Sequence, residues 1–264
     1  MCRVVAYLGP SLPISTWLDA APHSLERQSY AARELTSATV CADGWGFGFY
    51  TDTGPIVYRY RSTLPIWADA NRTELGAAIS TRCFLAAVRS ATDPLSVSAA
   101  NTQPFASGKV CFLHNGFIRD FSSKMLRTLR RALSDRSYAE IQGSSDSEHV
   151  FALFRDEYDQ AAASDPGRLL QATRNTLTKL RALATEAQCE ALFTLIVSDG
   201  ETLVATRSAV TGTAPSLYFL SSSGSPLVGH VIASEPINEQ PGWKPVPDES
   251  IVQFAFGSEP DIQQ

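Results

Sequence analysis

The chain has 264 residues, of which 44% are hydrophobic, so it is long enough to bury a large core. Its formal net charge of −5 argues against nonspecific nucleic-acid binding, which depends on clustered Lys and Arg. No apolar stretch is long enough to span a membrane or to form a signal peptide. We therefore expect no nucleic-acid or membrane partner. The lack of linkers and repeats favours one domain over residues 2–264.

Strand patterns dominate the first 118 residues. Strand-forming residues occupy positions 2–8. Further along, the runs 45–50 and 56–60 flank Asp52-Thr53-Gly54, which predicts a hairpin with a glycine turn.

Two short apolar runs follow, at 83–88 and 110–113. Their length is typical of strands that are buried on both faces of a sheet. Each run ends in polar residues, the first at Arg89 and the second at His114-Asn115. These strand ends are candidate positions for chemistry.

The middle of the chain changes to a helical period, with patterns at 121–133, 146–158 and 166–187. Ser145 or Asp146 would cap the second helix. The first carries a basic face that is either solvated or a binding patch, with Lys124, Arg127, Arg130 and Arg131.

Strands return towards the C-terminus, at 192–197, 202–206, 217–220, 228–233 and 251–256. The first two surround Asp199-Gly200, which is a strong hairpin signal. Hairpin spacing rather than βαβ spacing predicts antiparallel sheets covered by helices, an α+β fold.

Five cysteines are spread over the chain without a CxxC pair: Cys2, Cys41, Cys83, Cys111 and Cys189. Such a set does not indicate a disulfide framework, so we expect a reducing, cytoplasmic setting. The four histidines lack metal-ligand spacing, and we expect no metal ion. The glycine-rich run 43–48 lacks a following Lys-Ser/Thr pair or helix, and we expect no cofactor. Its glycines would let the backbone approach Cys2 closely.

Cys2 is the first candidate for chemistry. Removal of Met1 would place a thiol and a free α-amine on one residue, and an α-amine titrates near pH 8 and can take the thiol proton. The alternative is a small apolar residue that opens a buried strand, since free Cys is among the most buried residue types.

Three further positions offer matching chemistry, each with a plainer alternative. Asn115-Gly116 supplies an amide and an unhindered N–H for an oxyanion hole, or forms a turn. Arg89 could bind a carboxylate with both arms of its guanidinium, or face solvent. Asp146 could bind an ammonium group, or cap a helix.

Six segments, in this order, resemble the class II glutamine amidotransferases: Cys2, Asp43-Gly44-Trp45-Gly46, Arg89-Ser90-Ala91-Thr92, Asn101-Thr102-Gln103-Pro104-Phe105, His114-Asn115-Gly116 and Ser145-Asp146-Ser147. That family consists of N-terminal nucleophile hydrolases. The resemblance implies their four-layer αββα sandwich, in which helices flank two antiparallel sheets.

The resemblance also implies roles for these residues. The Cys2 thiolate would attack a γ-glutamyl amide carbonyl, with its own α-amine as base and then as acid. Asn115 and the Gly116 N–H would stabilise the oxyanion. Three residues would hold the glutamyl group: Arg89 at its α-carboxylate, Thr92 through an added hydrogen bond, and Asp146 at its α-ammonium.

A second set of segments is similar to one branch of the family, the γ-glutamyl amidohydrolases of ergothioneine biosynthesis: 2–9, 28–31, 42–46, 60–62, 65–67, 86–92, 233–236 and 241–243. The branch implies γ-glutamyl-hercynylcysteine S-oxide as substrate, hydrolysed to glutamate and hercynylcysteine S-oxide. Gln103-Pro104-Phe105 looks more like the general amidotransferases. The aromatic residues Tyr30, Trp45 and Trp67 either meet a quaternary ammonium group or are ordinary core and rim residues.

Two alternatives to a stand-alone hydrolase remain. A glutaminase subunit would deliver ammonia to a separate synthase, because the sandwich would leave no synthase domain within this chain. A catalytically silent binding module would keep only the fold. The small-molecule substrate is the partner we expect, and the sequence leaves open whether the protein is a homo-oligomer.

Overall fold

The computed structural model of the protein describes residues 2–35, 38–91, 97–222 and 229–264. In these ranges two antiparallel sheets pack face to face, and helices cover the outer side of each sheet. The predicted α+β fold with four layers, αββα, is therefore confirmed.

The described ranges contain thirteen strands: β1 (Arg3–Pro13), β2 (Trp45–Thr51), β3 (Gly54–Ser62), β4 (Ser80–Val88), β5 (Phe105–Ser107), β6 (Val110–Ile118), β7 (Ala191–Ser198), β8 (Thr202–Val210), β9 (Tyr218–Ser222), β10 (Gly229–Ala233), β11 (Lys244–Pro245), β12 (Ser250–Ala255) and β13 (Asp261–Gln263). The first sheet has the order β11-β9-β10-β1-β4-β2-β3 and the second β13-β12-β8-β7-β6-β5. Strand β1 thus lies between β10 and β4, inside the first sheet.

The α-helices are α1 (Leu25–Ala31), α2 (Asn71–Ala78), α3 (Phe121–Lys124), α4 (Leu126–Arg131), α5 (Asp135–Ala139), α6 (Asp146–Gln160) and α7 (Arg168–Glu186). Helices α6 and α7 pack on the second sheet, and α1 packs on the first with the short helical turns Thr16–Ala20 and Ile66–Ala68. No helical pattern in the sequence predicted α1 or α2. Helix α1 is capped by Ser24, whose Oγ accepts a hydrogen bond from the Arg27 backbone N–H at 3.3 Å.

The single helix predicted over 121–133 is wrong. The backbone leaves helical geometry at Met125, where φ is −120°, and divides the segment into α3 and α4. The Met125 side chain is fully buried in the core beneath these helices. An apolar pattern with helical spacing does not reveal such a break, because both short helices bury the same face.

Alternation along β1 explains why its residues form one continuous apolar run. Val4, Ala6 and Leu8 lie in the core between the two sheets, whereas Val5 and Tyr7 lie in the core beneath the outer helices. Both faces of the strand are therefore buried. The same alternation places Cys2, two residues before Val4, on the side that faces the second sheet.

The glycines of β2 lie close to a different segment from the expected one, which was the segment of Cys2. A Cβ on Gly46 would lie 2.4 Å from the Gln103 carbonyl oxygen, and one on Gly48 would lie 2.5 Å from Cys111 Sγ. The prediction that they let the backbone approach Cys2 is therefore wrong. They let the segment 102–104 and strand β6 lie close against the inner face of the first sheet.

Candidate active site

Cys2 lies immediately before β1, where the core between the sheets opens, and only 7% of its surface is exposed. Its backbone nitrogen donates a hydrogen bond to Asn115 Oδ1 at 3.1 Å. This contact joins the start of the first sheet to β6 of the second. It brings the predicted nucleophile and the predicted oxyanion residue together.

The side-chain amide of Asn115 is oriented from both ends. Its Oδ1 accepts from Cys2, and its Nδ2 donates to Ser234 Oγ at 3.4 Å. Ser234 Oγ also accepts from the Val4 backbone N–H at 2.9 Å, so one hydroxyl holds both Asn115 and β1. An amide nitrogen has two N–H donors. One of them therefore remains for an oxyanion beside Cys2.

Asn115 and Gly116 lie inside β6, so the turn alternative for this pair is wrong. Gly116 pairs with Phe193 of β7, and a Cβ on it would lie 1.9 Å from the Leu192 carbonyl oxygen. Glycine is therefore required by packing. Because β5 pairs only with residues 110–112, β7 is the only strand neighbour of Asn115 and Gly116 in the described chain.

The strand that carries Asn115 is held by Gln103. The Gln103 amide donates from Nε2 to the His114 carbonyl at 2.8 Å and accepts at Oε1 from the His114 N–H at 2.6 Å. The His114 ring contacts Ser147 Oγ through Nδ1 at 2.9 Å and the Leu192 carbonyl through Nε2 at 2.9 Å. Because a carbonyl only accepts, Nε2 carries a proton. The His114 side chain therefore holds β6 in place and does not face Cys2.

Arg89 follows β4 and lies beside Cys2. Strands β4 and β1 are antiparallel and Val88 is opposite Arg3, so Arg89, the residue after Val88, is opposite Cys2, the residue before Arg3. Ala87 faces the core between the sheets, so alternation directs Arg89 to the same side as Cys2. Its surface is 8% exposed, so the solvent-facing alternative is wrong. Thr92, the other predicted residue of this loop, lies outside the described residues.

The loop after β4 is built on backbone contacts with Asp43 and Gly44. The Arg89 N–H donates to the Gly44 carbonyl at 2.8 Å, and the Asp43 N–H donates to the Arg89 carbonyl at 2.9 Å. Asp43 Oδ2 accepts from the Ala91 N–H at 2.7 Å. The Asp43-Gly44 motif thus sets the position of the Arg89 backbone.

Asp146 is the first residue of α6, and Ser145 is its N-cap, with Oγ accepting from the Glu148 N–H at 3.2 Å. Asp146 is therefore not the cap itself. Its Oδ2 accepts from the Ile118 N–H at 2.8 Å, which joins the helix to β6 three residues beyond Asn115. At a strand rise of about 3.4 Å per residue, this places Ile118 roughly 10 Å from Asn115 along the strand.

A buried ionic cluster, which no sequence pattern predicted, lies beneath Cys2. Arg3 donates from Nε to the Cys2 carbonyl at 2.9 Å, and its Nη1 lies 3.0 Å from Glu235 Oε1. Glu235 also contacts His23 at 2.7 Å and accepts from the backbone N–H groups of Arg33 and Glu34. An arginine within an apolar strand was the available signal, because a buried charge needs a partner.

Burial of the Glu235 carboxyl by itself raises its pKa, but its hydrogen bonds and the charge of Arg3 lower the pKa by more than burial raises it. The hydrogen bonds from His23, Arg33 and Glu34 and the Arg3 charge lower the pKa to about 2. Glu235 is therefore an anion that anchors the strand of Cys2.

A profile of the class-II glutamine amidotransferases matches residues 19–220. The chain belongs to this family. Its relatives include the gamma-glutamyl-hercynylcysteine sulfoxide hydrolase of Mycolicibacterium smegmatis, 32% identical over 96% of this chain and 95% of that protein. The protein of the same name from Mycobacterium tuberculosis is 30% identical over 96% of this chain and 92% of its own length. The probable glutamine amidotransferase DUG3 of Saccharomyces cerevisiae is 29% identical, covering 96% of this chain and 81% of that protein.

Solved structures share the fold of this amidotransferase-family protein. A glutamine aminotransferase class-II domain protein from Silicibacter pomeroyi superposes with a TM-score of 0.69 at 22% identity, over 100% of this chain and 99% of that one. The glutamine phosphoribosylpyrophosphate amidotransferase of B. subtilis superposes with a TM-score of 0.65 at 16% identity, over 49% of its own length. The predictions of the family and of an enzyme are confirmed.

Burial raises the pKa of the other thiols in this amidotransferase-family protein. It raises the pKa of Cys41 and Cys83 to about 12 in each case, and it raises those of Cys111 and Cys189 as well. These four thiols therefore stay protonated at neutral pH and are poor nucleophiles.

The three aromatic residues considered for an ammonium group fall into two classes. Trp45 is fully buried and donates from Nε1 to Asp69 Oδ2 at 3.0 Å, so it belongs to the core. Tyr30 and Trp67 are 42% and 40% exposed and meet edge to face at 5.8 Å. The described residues hold no cluster that could bind a metal ion, and none of their helices is long and apolar enough to cross a membrane.

Proposed function

We propose that the protein is a γ-glutamyl amidohydrolase in which Cys2, exposed by removal of Met1, is the nucleophile. The observation that carries this proposal is the contact of the Cys2 nitrogen with Asn115, beside Arg89. It joins a thiol, an α-nitrogen and an oxyanion donor at one end of the core between the sheets. The proposal treats residues 2–264 as one catalytic domain.

In the proposed mechanism the α-amine of Cys2 takes the thiol proton, and Sγ attacks the γ-carbonyl carbon. Asn115 Oδ1 accepts one amine hydrogen, which orients the amine lone pair. The free N–H of the Asn115 amide and the Gly116 N–H stabilise the oxyanion. As the tetrahedral intermediate collapses, the C–N bond breaks and the ammonium returns its proton to the leaving nitrogen. Water then hydrolyses the thioester, releasing glutamate and the thiol.

The glutamyl group is held at its α-carbon in this proposal. Arg89 binds the α-carboxylate through charge-assisted hydrogen bonds, and Asp146 binds the α-ammonium. For Thr92, which lies outside the described residues, the proposal keeps the added hydrogen bond that the family resemblance implies. Because Cys2 acts as a free thiol, the proposal includes a reducing, cytoplasmic compartment.

The substrate that we propose is γ-glutamyl-hercynylcysteine S-oxide, which would yield glutamate and hercynylcysteine S-oxide. The support is the name carried by relatives 30–32% identical over 96% of this chain. A second candidate is a glutaminase subunit, favoured by the 29% identity to a probable glutamine amidotransferase. Comparing kcat/KM for free glutamine and for the sulfoxide separates them, and a preference for glutamine would overturn the first.

The nucleophile is tested by two measurements on purified protein. Intact mass is expected to show that Met1 is absent, and Cys2→Ala is expected to abolish glutamate release. Cys189→Ala is the matched control, because that thiol lies in the core beneath α3–α7 and not in the site. Full activity with Met1 retained would refute the amine as base, and activity in Cys2→Ala would refute the nucleophile.

A further inference from the structure

A cavity whose lining does not include Cys2 lies at the edge of the sandwich. It has a volume of about 310 Å³, and its lining includes Arg59, Arg61, Phe105, Phe151 and Arg155. This volume is at the lower end of the roughly 300–1,000 Å³ typical of small-molecule sites. Three guanidinium groups and two aromatic rings thus surround one small space.

Arg59 and Arg61 come from β3, the edge strand of the first sheet, two residues apart and therefore on one face. Each guanidinium makes one hydrogen bond to a backbone carbonyl. Arg59 donates to Pro104 at 3.3 Å, and Arg61 donates to Thr102 at 3.5 Å. Because a guanidinium has five N–H donors, most of their donors remain for another group.

The guanidinium groups of this pair have no acidic partner in direct contact, although the Glu148 carboxylate acts on Arg61 from a greater distance. Neither Arg59 nor Arg61 forms an ion pair with another residue of the described ranges. Burial, and then the positive charge of Arg61, lower the pKa of Arg59. Burial also lowers the pKa of Arg61, although the negative charge of Glu148 acts in the opposite direction. The charged forms are therefore disfavoured by their surroundings, and an anion placed between them would relieve the repulsion.

The acids that line the cavity already have partners. Glu148 accepts backbone N–H groups from Gln142 at 2.9 Å and Gly143 at 2.6 Å. Glu140 contacts Arg155 at 2.5 Å, and that guanidinium also lies over the Phe151 ring, 5.9 Å from its centroid. The opposite wall thus combines the Arg155–Glu140 ion pair, the Glu148 carboxylate held by two backbone N–H groups, and two aromatic rings.

The cavity does not contain the predicted residues of the glutamyl site, because neither Arg89 nor Asp146 lines it. Strands β4 and β2 lie between β1, which follows Cys2, and β3. At about 4.8 Å between neighbouring strands, β1 and β3 are roughly 14 Å apart. The segment 102–104 lies against the glycines of β2 in this interval.

We propose that the Arg59–Arg61 cavity binds a small organic anion, with a phosphate or carboxylate group between the two guanidinium groups and an apolar body against Phe105 and Phe151. Arginine matches both anions with paired N–H donors. The inference concerns binding alone, so it stands or falls independently of the proposed hydrolase activity.

Isothermal titration calorimetry at low ionic strength tests it with phenyl phosphate, benzoate, inorganic phosphate and benzyl alcohol. Phenyl phosphate or benzoate is expected to bind more tightly than inorganic phosphate, and benzyl alcohol is expected not to bind. The two aromatic anions distinguish a phosphate site from a carboxylate site. Arg59→Gln/Arg61→Gln is expected to weaken binding by about tenfold or more, since a hydrogen bond to a charged group contributes roughly 1.5–3 kcal/mol.

Arg82→Gln is the matched control, because Arg82 lies over the Phe256 ring at a different cavity and should leave affinity unchanged. A measurement without variants uses phenylglyoxal, which modifies accessible arginines. Phenyl phosphate should protect Arg59 and Arg61 from it, and leave Arg82 reactive. Absence of saturable binding at millimolar concentrations, equal affinity in the double variant, or equal reactivity of these arginines with and without phenyl phosphate would overturn the proposal.

Discussion

Replacing Glu235 by Gln is expected to destabilise the protein strongly. The Glu235 carboxylate lies 3.0 Å from Arg3 Nη1, and both side chains are almost completely buried. Gln keeps the size of the side chain but removes its charge, so Arg3 would remain as a buried cation. Removing one partner of a buried ion pair typically costs about 3–5 kcal/mol.

The pKa of Glu235 leads to a similar magnitude. Against the effect of burial, the hydrogen bonds from His23, Arg33 and Glu34 and the Arg3 charge lower its pKa from an ordinary 4.5 to about 2. Each pKa unit is worth about 1.4 kcal/mol, so ionised Glu235 contributes on the order of 3 kcal/mol. The pKa of Glu235 is lower in the folded protein than in the unfolded chain. The stabilisation by ionised Glu235 is therefore complete well above pH 4.5 and is lost as the pH falls towards 2. About 1.4 kcal/mol of it is lost by pH 3.5.

Urea unfolding followed by tryptophan fluorescence measures both effects. At pH 7 the free energy of unfolding of Glu235→Gln should lie about 3–5 kcal/mol below the original value, and at pH 3.5 the gap should narrow by about 1.4 kcal/mol. Glu239→Gln is the control, because Glu239 is 86% exposed and its ion pair with Arg33 should contribute under about 1 kcal/mol. A loss below about 1 kcal/mol at pH 7, or a gap that does not change with pH, would refute the reasoning.

Three other substitutions address the site. Asn115→Ala should lower kcat for glutamate release by about 100- to 1,000-fold with little change in circular dichroism, and a loss under tenfold would contradict an oxyanion role. Arg89→Lys should raise KM by about tenfold or more and change kcat less, because Lys cannot bind a carboxylate through a planar fork; an unchanged KM would contradict the role. Gly116→Ala should destabilise the fold by at least about 3 kcal/mol in urea unfolding, since its Cβ would lie 1.9 Å from the Leu192 carbonyl oxygen. Gly167→Ala is its control, with Asp165 Oδ1 as the nearest atom at 3.3 Å, and equal stabilities would contradict the packing argument.

Local patterns predicted most of the strands because both sheets bury apolar residues in regular alternation. The run 83–88 was predicted as a strand buried on both faces, and Cys83, Leu85 and Ala87 indeed face the core between the sheets while Phe84 faces the other core. Patterns with competing meanings were less reliable. Asn115-Gly116 is also a frequent turn pair, and only its pairing with β7 shows that it belongs to a strand.

The sequence by itself determined the family, the α+β class and the candidate nucleophile, because strand periodicity, turns and ordered motifs are written in neighbouring residues. Tertiary structure decided which groups meet. Cys2 contacts Asn115 across 113 positions, and Arg3 contacts Glu235 across 232. The Arg59–Arg61 cavity likewise forms only when β3 meets α6 and the segment 102–104. Pairings at such separations follow from the order in which strands assemble into sheets, which no local pattern contains.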